Sequence, residues 1–145
     1  MAVVCVVAGA LVFPRPSGFT GLPTVTLPIE FGPMTNATEG GRSWYNMTVA
    51  RASQGLEFRD IGFKAQTPSY GNASTENWSL SVKGLTGTTL GQYSWETMGW
   101  ETGGSTPWST GQIVSLVANE SLSGYILDIG APNCTYCGYG GYGIP

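Results

Sequence analysis

From residue 24 onward the apolar positions recur at every second residue, the period of a strand with one buried face. Val25, Leu27, Ile29 and Phe31 alternate with Thr24, Thr26, Pro28 and Glu30, and Tyr45, Met47 and Val49 alternate with Trp44, Asn46, Thr48 and Ala50. Leu56 and Phe58 keep one phase, while Ile61, Phe63 and Ala65 keep the other, so a bulge or bend is expected around Arg59-Asp60. Trp78, Leu80 and Val82 predict another strand. Tyr93 to Trp100, with its aromatics, predicts one more, and Ile113 to Val117 and Tyr125 to Ile129 complete the set. Turn formers separate these runs: Glu39-Gly40-Gly41, Gln54-Gly55, Pro68 to Gly71, Lys83-Gly84, Gly103-Gly104-Ser105 and Ser123-Gly124. About seven to eight short strands with regular turn signals predict an all-β domain, an immunoglobulin-like antiparallel β-sandwich. No capped helical pattern occurs beyond residue 13.

The first residues have a different pattern. Ala2 to Phe13 reads AVVCVVAGALVF, without a charge, and stops at Pro14-Arg15-Pro16. A membrane span takes about 20 apolar residues, more than this stretch supplies. A signal peptide carries a basic region before its apolar stretch, where here only Met1 and Ala2 stand, although Ala8-Gly9-Ala10 resembles a cleavage site. Two further readings are the second half of a longer apolar helix and a Val-rich β-strand donated to a neighbour. In each, Val3, Val4, Val6, Val7, Leu11, Val12 and Phe13 are the assembly residues, and burying each larger one contributes ~1.5 to 3 kcal/mol. Cys5 is expected to pack among them as a small hydrophobe. The expected organisation is an assembly or membrane segment over 1–13, a Pro-containing neck over 14–23, the β-sandwich over 24–130 and a Cys/Gly/Tyr-rich tail over 131–145.

Composition narrows the chemistry. Of 145 residues six are Lys or Arg, nine are Asp or Glu, and none is His. Charge is 10% of the chain against an ordinary ~25%. Without His there is no imidazole acid or base, no Ser-His-Asp or Cys-His arrangement and no His metal ligand. Six scattered basic residues with a net charge of -3 form no patch for a polyanion, so nucleic acid is not an expected partner. Asp60 and Asp128 are the only Asp, and a hydrolase would need one of them beside a Glu in a cleft. The chain is therefore expected to be no enzyme and to take no cofactor or metal.

All six Asn begin an Asn-x-Ser/Thr triplet: Asn36, Asn46, Asn72, Asn77, Asn119 and Asn133. With 29 Ser and Thr in the chain, such a full set arises by chance with a probability on the order of 10⁻⁴. A secreted, N-glycosylated surface follows, with N-linked glycans supplying the hydration that charge does not. Cys134-Thr135-Tyr136-Cys137 lacks the further ligands of a zinc site and runs into a Gly-rich tail that cannot hold a helix. In an oxidising exterior its expected state is a local Cys134–Cys137 disulfide. Trp in a small β domain is more often core, but Trp95, Trp100 and Trp108 lie closest in sequence and are the candidates for a glycan or partner contact. Exposed Trp of this kind would make the chain a carbohydrate-binding or adhesive module, the alternative to a structural role.

The stretches YNMTVARASQGLEFRDIGFKAQTPS (Tyr45 to Ser69), STPWSTGQIVSLVANESLSGYILDIG (Ser105 to Gly130) and YGGYGIP (Tyr139 to Pro145), behind an apolar N-terminus and a Pro-containing neck, resemble archaeal type IV pilins and pilin-like surface proteins. The resemblance implies copies of the chain polymerised through a bundle of N-terminal helices, with a glycosylated β domain facing outward from the cell surface. Members of that family carry a longer N-terminal helix with basic residues before the cleavage point. If Met1 is the true start, strand addition replaces the helix bundle as the expected mode of assembly.

Overall fold

The computed structural model describes residues 27–132 and 138–145. The expectations for Ala2 to Phe13, the neck, Asn133, Cys134 and Cys137 lie outside the described residues. Ten strands are described: β1 (Ile29–Phe31), β2 (Thr35–Glu39), β3 (Arg42–Ala52), β4 (Gly62–Gln66), β5 (Ser79–Lys83), β6 (Thr89–Ser94), β7 (Gly99–Thr102), β8 (Ile113–Ala118), β9 (Ile126–Gly130) and β10 (Gly138–Gly143). No α-helix occurs among the described residues. The larger sheet has the order β1-β3-β8-β5-β6-β7, with β2 also paired to β3, and the smaller has the order β10-β9-β4. Every pairing is antiparallel. The result is an all-β, sandwich-like arrangement of two sheets over one core.

The period-2 pattern sets which face is inside. On β3, Tyr45, Met47 and Val49 are buried while Trp44, Asn46, Thr48 and Ala50 point the other way. Leu80 and Val82 of β5, Val114, Leu116 and Ala118 of β8 and Tyr93 of β6 complete the large sheet's inner face. Phe63 and Ala65 of β4 and Leu127 and Ile129 of β9 meet them from the small sheet in the same hydrophobic cluster. The β2–β3 hairpin turns through Gly40 and Gly41, both at positive φ (63° and 77°), the conformation that a two-residue turn needs to match strand twist.

The expected bend at Arg59-Asp60 is a single 3-10 turn, Phe58–Asp60. The Glu57 N–H donates to Asp60 Oδ2 at 2.8 Å, and the Ile61 N–H donates to the Phe58 carbonyl at 3.0 Å. That turn resets the phase, so Phe58 and Ile61 are both buried.

The structure departs from the sequence pattern in three places. Tyr93 to Trp100 is a hairpin rather than one strand: β6 ends at Ser94, Ser94 Oγ accepts the Thr97 N–H at 3.3 Å, and Met98 takes φ 57° before β7 begins. Strand β2, TNATE, has every residue exposed, so no alternation marked it. The Gly/Tyr tail, set apart from the sandwich in the expected organisation, contains β10, paired with β9 at Leu127 to Tyr142 and Asp128 to Gly141. Its last turn is anchored as well, since Ile144 is buried and its N–H donates to the Tyr125 carbonyl at 2.8 Å. The strand count thus rises from the expected seven or eight to ten.

Candidate functional site

Strand register places most of the sequons. Where β3 begins, β8 ends and β5 starts, Ser43 pairs with Ala118, and Val117 pairs with both Trp44 and Ser79. Asn119 follows Ala118 directly at this end, and Asn77 stands two residues before Ser79. Both are exposed, and Arg42 Nε donates to Asn119 Oδ1 at 3.1 Å. Asn72 is exposed in the connection from β4 to β5. Asn36 is exposed on β2 opposite Tyr45, and its Nδ2 donates to the Pro145 carbonyl at 3.4 Å.

Asn46 is different. It is half-buried at the middle of β3, between Thr35 and Ser115, on the outer face of the large sheet. It lines a shallow concavity of about 460 Å³ with Trp44 and Lys83, whose Nζ stands 5.4 Å from the centre of the Trp44 ring.

The other end of the large sheet is formed by Ala52, by the 84–88 turn that follows Lys83 and by the 103–112 loop that leads into Ile113. Among the described residues no sequon lies there. Leu85, at the tip of the turn, is 85% exposed. The chain also enters at this end: Ile29 pairs with Ala52, Arg51 Nη2 donates to the Leu27 carbonyl at 2.8 Å, and the Ser53 N–H donates to the Pro28 carbonyl at 2.8 Å.

The three Trp candidates do not form an exposed platform. Trp108 is 4% exposed, with its ring centre 4.4 Å from that of Phe58 and 6.0 Å from that of Trp100. Trp100 packs on Phe58, Phe63 and Tyr93 and donates its indole N–H to the Ile61 carbonyl at 2.9 Å. Trp95 packs edge-on against Trp78 and Tyr93. Trp108 belongs to the core, and Trp95 and Trp100 are half-buried against it.

Among the described residues the exposed aromatic is Tyr70, which sequence reasoning did not single out. It is 76% exposed and has φ 67°. With Asn72, Lys64, Gln66, Met98 and Asp128 it lines a concavity of about 970 Å³ over the outer face of the small sheet. There Gln66 Nε2 donates to Asp128 Oδ2. The other Asp, Asp60, is held in the 3-10 turn, where Glu57 forms an ion pair with Arg59 at 2.7 Å. Among the described residues no group of three or more Cys, Asp or Glu is arranged to hold a metal ion, and no helix is long and apolar enough to cross a membrane.

Comparison with protein-family models, curated proteins and solved structures finds no match to this chain.

Proposed function

We propose that this chain is a structural, N-glycosylated, extracellular or cell-surface subunit that assembles with copies of itself into a pilus-like filament through its apolar N-terminal segment. The immunoglobulin-like description of the sandwich belongs to the same proposal. The observation that carries it is the division of the large sheet: Asn77 and Asn119 stand at one end, and Leu27 brings in the chain at the other. Bulky hydrated sugars keep neighbouring protein away from the surface they cover, so a subunit that polymerises needs a contact end without them. The end where Leu27 stands meets that need, and Val3, Val4, Val6, Val7, Leu11, Val12 and Phe13 precede it in the sequence as the proposed assembly residues. The same arrangement serves a helix bundle and a donated strand equally, and a membrane anchor would use the same residues.

Deleting Met1 to Phe13 tests the proposal. The shortened chain keeps every described core residue and is expected to run as a folded monomer in size-exclusion chromatography while the full chain forms filaments under negative stain. Filaments formed by the shortened chain would overturn it.

A further inference from the structure

We propose that the sugar attached to Asn72 folds back onto the ring of Tyr70 and is held in the concavity over the small sheet. The inference rests on the glycoprotein reading above and assigns one of its sites a definite packing partner.

The loop between β4 and β5 brings the two residues together. The Thr67 N–H donates to the Gly71 carbonyl at 2.8 Å, Thr67 Oγ1 accepts the Gly71 N–H at 3.0 Å, and the Tyr70 N–H donates to the Thr67 carbonyl at 2.9 Å. Asn72 then bridges back to Gln66, and the Ala73 N–H donates to the Ala65 carbonyl at 3.1 Å. Tyr70 thus stands two residues before the sequon Asn in a closed turn. The turn holds it at positive φ, which a bulky aromatic rarely adopts.

Met98 is the other non-glycine residue at positive φ among the described residues; it is 42% exposed and lines the same concavity. Strained backbone concentrates where a protein must aim a side chain, and here both instances face one space.

The chemistry of a pyranose fits what lies there. One face of such a ring presents C–H groups, which an aromatic face attracts, and its edge presents hydroxyls. Tyr70 supplies the aromatic face. Gln66, Lys64 and Asp128 supply donors and acceptors at the floor. The covalent bond at Asn72 removes the need to capture the sugar from solution, so weak contacts suffice to order it.

The test uses the full chain made in a host that attaches N-glycans, with occupancy at Asn72 read by mass spectrometry. Chemical unfolding is compared for the parent, Tyr70→Ala, Tyr70→Phe, Asn72→Gln and the Tyr70→Ala/Asn72→Gln pair. Tyr70→Ala is expected to raise the unfolding constant roughly 2- to 10-fold when Asn72 carries sugar. Tyr70→Phe, which keeps the ring, is expected to leave it within about 2-fold, as is Tyr70→Ala in the Asn72→Gln background. An equal effect of Tyr70→Ala in both backgrounds would overturn the packing and leave the glycoprotein reading intact. An unmodified Asn72 in the parent would overturn both at this position.

Discussion

The hydroxyl of Tyr93 closes an open strand edge. It accepts the Phe63 N–H and donates to the Phe63 carbonyl, each at 3.1 Å, so the side of β4 that does not pair with β9 is tied to the large sheet. Tyr93→Phe leaves both buried backbone groups without this partner and is expected to cost about 1–3 kcal/mol, read as a lower denaturant midpoint at unchanged slope. Burial pushes the Tyr93 phenol above its ordinary 10.0, with the bond to Phe63 acting in the opposite sense. The unfolded chain therefore releases this proton first as pH rises. The contribution is fully present below about pH 10 and is lost as pH climbs through the raised native value, a decline that Tyr93→Phe should lessen. Reading the sequence locates Tyr93 as an aromatic in an apolar run but contains no sign of a partner thirty residues earlier in the chain. The sequons were legible because each is a local triplet. Which way an indole faces was not, because burial of Trp108 depends on Phe58 arriving from a distant turn.

At the scale of elements, the glycines of two turns separate backbone strain from crowding. Gly55 has φ +85° with nothing within 4 Å of an added Cβ, whereas at Gly103, φ +76°, that atom would stand 2.7 Å from the Gly91 Cα and closer still to the Leu90 carbonyl oxygen. Gly55→Ala is expected to cost about 1 kcal/mol from conformation alone. Gly103→Ala should cost distinctly more, about 2–4 kcal/mol, because β6 has no room to move away from the core. Equal losses in urea unfolding would contradict the crowding. Both glycines read as turn signals in the sequence, and nothing there distinguishes them. The strands that alternation revealed, β1, β3, β4, β5, β8 and β9, each have one face against the core. Those it missed have a different reason to form: β2 completes a hairpin over Gly40-Gly41, and β10 lies on β9 with half-buried Tyr139 and Tyr142 between exposed glycines.

For the molecule as a whole, the tail is a structural closure. The Phe31 N–H donates to Tyr142 Oη at 3.4 Å, the two rings meet edge-on at 5.9 Å, and Ile144 is buried. Truncation after Cys137 is expected to cost at least about 3 kcal/mol and to leave β9 an open edge, seen as a lost cooperative thermal transition and as aggregation. The all-β class was legible because period 2 is a property of neighbouring residues. The separation of the sequon-bearing end from the entry end was not, because it depends on pairings such as Ile29 with Ala52 and Ser43 with Ala118.

The entry of the chain also decides how the domain carries load. β1 runs lengthwise along β3 from Leu27, with Arg51 gripping the Leu27 carbonyl and the Glu30 carboxylate, the latter at 2.6 Å. A pull on Leu27 along the strand axis therefore loads β1 in shear, so that its bonds to β3 share the force rather than peel one by one.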